Sequence, residues 1–394
     1  MNTRQMIEKL QDLLHRGQIQ REQIPLGELQ DCIYAEIDLR RLSFREEQIT
    51  EMKREVTRIL SLDDTHDLEQ GLETLRLCLL FLTSQPLDEI QQSANVNMDQ
   101  ILIAYKQVSQ AYQYLQEKIR ERLQTIDYIK YIHDGAEDPQ ITEILNYMDR
   151  HGKPEIFNYD FISEYPRERY QIYYDSDHKY PYCMFLDKRI YYPKDWGEEK
   201  ILDWHRSVIY EQDERSPHCY INEGGEVAVG DVLLDAGAGE GMFTLSVIEK
   251  VSKVYIVEAD PIWEEPLRLT LRDYLDKVAF VTKYLSDKDT EQEVTVDKII
   301  GNGKINFIKM DIEGFEISAL CGAKQTLQQT NLKCALCTYH RKTDAASIKE
   351  ILEGFGFETK YSKGFMYIYD DIEAVLEAQM RKGIIYGVKE GKTR

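Results

Sequence analysis

Over the first 150 or so residues apolar positions recur three and four apart, most clearly in Ile49 to Leu62, Leu72 to Leu82 and Ile101 to Ile119. That is the spacing of one helix face. Breaks at Leu26-Gly27, Asp63-Asp64, Gln85-Pro86 and Asp134-Gly135 divide the stretch into about six or seven helices in a bundle-like array. Residues 1–150 are read as a helical domain serving packing or homo-oligomerisation, with a lid over a site as the other use. Residues 151–225 form a Tyr-rich connecting or cap segment. Alternation in Tyr182 to Leu186 and Arg189 to Tyr192, divided by Asp187-Lys188, predicts a β-hairpin there, and Trp196 to Gln212 predicts a helix. From 226 to 394 strand and helix alternate. Strands are expected at Asp231 to Ala236, Lys253 to Glu258, Val278 to Leu285, Ile305 to Met310, Lys333 to Tyr339, Glu358 to Ser362 and Met366 to Tyr369. Such βα alternation predicts an α/β domain with a mostly parallel, doubly wound sheet behind an all-α N-terminal domain. A two-residue turn at Lys363-Gly364 predicts that the sheet finishes in an antiparallel hairpin.

Composition narrows the partners. A formal net charge of -21 opposes binding to a nucleic-acid backbone. The seven cysteines are odd in number and scattered, which reads as reduced thiols rather than a disulfide framework. The longest apolar run, Leu77 to Leu82, is too short to span a bilayer, and the N-terminus carries neither a secretory nor a transit pattern. The expected location is cytoplasmic.

Chemistry concentrates at the strand tips. The stretch VLLDAGAGEGMF runs from a strand through Asp235, Gly237, Gly239, Glu240 and Gly241 into a helix, and three glycines in five residues suit a ligand brought close to the main chain. The spacing DxGxGxG lacks the GxGxxG of a dinucleotide site, which counts against a nicotinamide enzyme. S-adenosylmethionine carries an ammonium and a sulfonium rather than a pyrophosphate, and suits Asp235 and Glu240. Glu258, at the tip of the next strand, is placed to accept ribose hydroxyls. Further along, INFIKMDIEGFE puts Asp311 at a strand tip with Glu313 after it. Two close carboxylates serve as a base or hold a hard cation, so Mg²⁺ is conceivable but not favoured, and Asp311 also suits a helix cap. His340 ends the next strand, where it can take a proton from a hydroxyl. His218, in a polar loop with Glu211, Gln212, Ser216 and Tyr220, is a second candidate histidine. Cys334, Cys337 and His340 imitate zinc spacing, but residues three apart on a strand face opposite ways, and no metal is assigned to them.

Together these motifs resemble the FkbM family of S-adenosylmethionine-dependent methyltransferases over roughly residues 205 to 370, through GDVLLDAGAGEGMFTL, VYIVEADPIW, LSD, FIKMDIEGFEISALCGA and the terminal YHR. The resemblance implies a Rossmann-like class I methyltransferase domain with a seven-stranded sheet. It implies that Asp235, Gly237, Gly239 and Gly241 hold the methionine end of the cofactor, Glu258 the ribose, and Ser286 with Asp287 the adenine edge. It also implies O-methylation of a sugar hydroxyl in a small-molecule or glycan acceptor, with His340 or Asp311 as base and Glu313 or His218 orienting the acceptor. Where the family usually has asparagine and an apolar residue, this chain has Gly239 and Glu240. The competing expectation is a non-catalytic scaffold that keeps the fold without the chemistry.

Overall fold

A computed structural model describes residues 109–391, apart from 115, 118, 119, 121, 122, 223 and 224. The helices expected at Ile49 to Leu62 and Leu72 to Leu82 lie outside the described residues. Two compact units are present. One comprises residues 109–132 with Tyr369–Ala378, and in it the Tyr128 hydroxyl donates to the Leu376 carbonyl at 2.5 Å. The other comprises His133–Ile368 with residues 379–391 and holds the sheet. No helix among the described residues is long and apolar enough to cross a membrane.

The larger unit opens with the helix Pro139–His151, whose N-cap Asp138 accepts from the Gln140 N–H. A small antiparallel sheet follows, built from β1 (Tyr173–Tyr174), β2 (Pro181–Phe185) and β3 (Lys188–Tyr191). The expected hairpin forms, with its turn one residue earlier than the sequence suggested: Leu186 and Asp187 both take positive φ, 47° and 61°. Two left-handed residues in succession match the twist of a two-residue hairpin. The helix Glu198–Tyr210 comes next.

The main sheet contains β4 (Val232–Ala236), β5 (Lys253–Val257), β6 (Val278–Val281), β9 (Phe307–Met310), β10 (Leu332–Cys337), β11 (Glu358–Tyr361) and β14 (Ile384–Lys389). Short ladders pair β7 (Tyr284–Leu285) with β8 (Glu293–Val294), and β12 (Met366–Tyr367) with β13 (Met380–Arg381). The order across the main sheet is β11-β14-β10-β9-β4-β5-β6, parallel except for β14, which runs antiparallel to both neighbours. This is the seven-stranded, mostly parallel Rossmann-like sheet that the sequence predicted. Successive residues feed opposite cores. Leu233, Ile256, Phe307 and Cys337 pack on one face, while Leu234, Val257, Ile308 and Cys334 pack on the other.

The predicted terminal hairpin is corrected. β11 pairs with β14, more than twenty residues along the chain, and not with Met366–Tyr367 across Lys363-Gly364. Instead the Phe365 N–H donates to the Tyr159 hydroxyl at 2.7 Å. The apolar run Ile384, Ile385, Tyr386 takes the slot between β10 and β11, where Ile384 and Ile385 are fully buried. An interior slot needs a strand apolar on both faces, and KGFMY offers less of one than IIYGV.

Candidate functional site

The carboxyl ends of β4, β5 and β9 surround a cavity of about 770 Å³, covered by side chains of the helix Glu198–Tyr210 and the loop after it. In an open parallel sheet this is where ligands bind. The glycine loop forms its floor. Gly237, Gly239 and Gly241 all have positive φ, but for different reasons. A Cβ on Gly237 would sit 1.6 Å from the Asp311 carbonyl oxygen, and one on Gly241 would meet Leu267 Cδ2 at 2.8 Å. Only Gly239 has nothing within 4 Å, so only there does open space meet the backbone.

Asp235 does not reach this cavity. It is fully buried, and its cross-strand partner on β9 is Lys309, whose Nζ lies 3.2 Å from Asp235 Oδ1. Thr244 donates to Asp235 Oδ2 at 2.6 Å, and Lys309 also donates to the Ala236 and Gly237 carbonyls. Burial works against the Lys309 ammonium, but Asp235 and Asp311 outweigh it and hold its pKa above the usual lysine value. The pair therefore clamps the loop from beneath, and Asp235, expected from the sequence at the methionine end of the cofactor, lies behind the lining rather than in it. Gly241, Ser286 and Asp287 likewise stay out of the lining, where Lys283, Tyr284 and Leu285 appear instead.

Gly237, Gly239, Glu240 and Glu258 do line the cavity. The Gly239 and Asp260 N–H groups each donate to the Glu258 carboxylate at 2.9 Å, fixing it in place. Glu240 is buried and accepts from Trp204 Nε1 at 2.9 Å, and burial pushes its carboxyl above the ordinary range. Trp204 belongs to a cluster with Trp196 and Trp263, ring centres 5.2 to 5.8 Å apart. The tyrosines of the β1–β3 hairpin are not part of the wall.

Asp311 is the hub of the other end. Tyr220 donates to its Oδ2 at 2.6 Å, His218 Nε2 lies 3.5 Å from the same oxygen, and His340 Nε2 lies 3.4 Å from Oδ1. Burial alone would raise Asp311, but His218, His340 and Lys309 hold it well below the usual carboxylate range. His218, Asp311 and Glu313 line the cavity and His340 does not. Burial depresses His340, yet the Glu316 carboxylate 3.1 Å from its Nδ1, with Asp311 and Glu313, carries it up to about 9. That direction favours the charged imidazole, the opposite of what the base expected from the sequence would need. Glu313 holds φ at 56° with Gly314 at 87°, so the turn after β9 is strained where it faces the site. Glu211, named from the sequence only as a loop neighbour of His218, lines the cavity with its Oε2 3.6 Å from His218 Nδ1, and Trp204 and Lys309 are lining groups that the sequence reading missed.

Residues 276–359 match the methyltransferase FkbM domain. The matched stretch contains Asp311, Glu313, Glu316 and His340 and begins after the glycine loop and Glu258. Among solved structures, the chain is similar to methyltransferase FkbM from Methylobacillus flagellatus KT, at 23% identity and a TM-score of 0.35, over 48% of this chain. It spans about half the length of that protein, 52%. A TehB-like SAM-dependent methyltransferase from Corynebacterium glutamicum shares 14% identity, with a TM-score of 0.30 over 49% of this chain and 97% of that one. A precorrin-6y C5,15-methyltransferase from Geobacter metallireducens GS-15 shares 12%, with a TM-score of 0.30 over 42% and 83%. No curated protein matches the chain.

Proposed function

We propose that this chain is an S-adenosylmethionine-dependent methyltransferase acting on a hydroxyl oxygen, with a sugar-bearing small molecule or glycan as acceptor. The observation that carries the reading is the cavity itself. It has open backbone at Gly239, a carboxylate fixed at Glu258 by two N–H groups, and a wall that includes Glu211, Glu240, Asp311 and Glu313. With Glu258 and Asp260 these carboxylates outnumber the two lining lysines, Lys283 and Lys309, and such a wall suits a ligand with a sulfonium and an ammonium better than the pyrophosphate of a dinucleotide. S-adenosylmethionine, when bound, supplies an electrophilic methyl group.

The rest is the work of this chain's residues. Glu258 is placed to take a ribose diol, and Glu240 to face the ammonium end. Asp311, held from one side by Tyr220 and from the other by His340, offers a fixed acceptor for the hydroxyl of the incoming molecule. His218 and Glu313 bracket that position. Much of the rate then comes from orientation, since the reacting oxygen must be held in line with the methyl group.

Calorimetric titration with S-adenosylhomocysteine tests the reading, with NAD as control. Micromolar binding of the first and none of the second is expected. Absence of S-adenosylhomocysteine binding by a folded sample would overturn it.

A further inference from the structure

Three donor atoms from separate parts of the chain meet at the edge of the cavity, two of them, on His218 and Asp311, in its lining and the third, on Cys337, buried behind them. His218 comes from the covering loop, Asp311 follows β9, and Cys337 ends β10. His218 Nε2 lies 3.5 Å from Asp311 Oδ2 and 3.5 Å from Cys337 Sγ, and the three ligand atoms all lie within 4.8 Å of one another. A separation of 3.5 Å is long for a hydrogen bond between nitrogen and oxygen. It does fit two ligands sharing a tetrahedral zinc ion, where Zn–N near about 2.0 Å and Zn–S near about 2.3 Å place neighbouring donors roughly 3.3–3.6 Å apart.

We propose that His218, Asp311 and Cys337 form a binding site for a zinc-type divalent ion, with the fourth position open to the cavity.

The surroundings of each ligand support this set. His218 is only 4% exposed, and its Nδ1 has no hydrogen-bond partner, though Glu211 Oε2 stands 3.6 Å away. A carboxylate beyond the far nitrogen is the usual means of orienting a metal-bearing imidazole. Cys337 is fully buried, and a sulfur, a nitrogen and an oxygen together favour zinc over magnesium. Asp311 turns Oδ1 to His340, leaving Oδ2 to the site. Tyr220 donates to that same Oδ2 and remains an outer partner on its second lone pair. Lys309, the buried cation nearby, is committed to Asp235. Cys334, whose spacing from Cys337 only imitates a zinc motif, lies in the core on the opposite face of the sheet and takes no part.

Ion binding requires only these three side chains. Its role rests on the methyltransferase reading: an acceptor hydroxyl in the fourth position would be held in place and made more acidic.

The test uses the full chain, stripped of metal by chelation and titrated with Co²⁺ as an optical stand-in for Zn²⁺. The expected result is one equivalent bound, a thiolate-to-cobalt absorption band, strong four-coordinate visible bands, and loss of all of them on adding Zn²⁺. Cys337→Ser and His218→Gln should each abolish stoichiometric binding, while Cys321→Ser, at an exposed thiol, should not. Glu211→Gln should weaken Zn²⁺ binding by roughly 10–100-fold. No thiolate band in the unaltered chain, or a band that survives Cys337→Ser, overturns the proposal. S-adenosylhomocysteine is titrated into the same samples. Its binding without a cobalt band sinks the metal site alone, and a cobalt band without its binding sinks the cofactor reading alone.

Discussion

Replacing each of the three loop glycines by alanine separates packing from ligand binding. At Gly237 the new Cβ would lie 1.6 Å from the Asp311 carbonyl oxygen and 2.7 Å from its carbon, both backbone atoms that no rotamer change can move. Reaching ordinary contact at 3.4 Å requires the loop and the end of β9 to part by about 1.8 Å. The left-handed φ of 71° adds about 1–2 kcal/mol for a residue with a Cβ, and overpacking typically adds about 1–3 kcal/mol. Gly237→Ala should therefore cost about 2–5 kcal/mol, a fall in Tm of roughly 5–20 °C for a domain of this size. At Gly239 the space is open, so only the backbone contribution of about 1–2 kcal/mol remains. Its new methyl group points into the cavity, where S-adenosylhomocysteine affinity should fall by about tenfold or more. Gly241→Ala meets the end of a leucine side chain at 2.8 Å, which can rotate away, and should fall between the two in stability. Thermal unfolding and calorimetry on the three variants check this. Equal melting temperatures for Gly237→Ala and Gly239→Ala, or undiminished ligand binding by Gly239→Ala, would refute the reasoning.

Removing one partner of the pair beneath the loop, by Lys309→Met, strands the buried Asp235 and should destabilise the domain by about 3–5 kcal/mol, whereas Asp235→Asn with Lys309→Met together should recover part of that loss in denaturant unfolding. Glu258→Gln sets an NH2 against one of the two N–H groups that the carboxylate now accepts from, so it should lower Tm as well as weaken S-adenosylhomocysteine by about tenfold or more, each hydrogen bond to a charged acceptor contributing about 1.5–3 kcal/mol; an unaltered Kd would remove Glu258 from the cofactor site. The Asp175 carboxylate is held well below its usual range by the His178 N–H, the Tyr191 hydroxyl and the Asp177 N–H. A depressed carboxylate stabilises the fold above its unfolded pKa and loses that contribution as pH falls, so Asp175→Asn should lower Tm at pH 7 and make progressively less difference on acidification below about pH 4. A deficit that stays constant with pH would rule out the charge as its source.

Local patterns in the sequence carried the sheet a long way, because strands buried on both faces announce themselves as apolar runs. β4, β5, β9 and β10 were legible to within two residues at either end for that reason. Partnership was not, because which strands pair is decided by long-range competition. The turn at Lys363-Gly364 looked like a hairpin, yet Ile384–Lys389 pairs with β10 along its whole length and takes the slot. The site divides in the same way. Asp311, Glu258 and His218 stood out because strand tips and polar loops converge on a cleft in any open α/β sheet. Asp235 stood out equally and proved to belong to the interior. The signal that could have separated them is Lys309, a lysine in the apolar run of FIKM. A charged residue inside a buried strand needs a buried counter-charge, and β9 lies beside β4. The register that sets Lys309 opposite Asp235 is what converts a ligand-facing acid into a structural one, and register between strands more than seventy residues apart is a property of the folded sheet rather than of either segment.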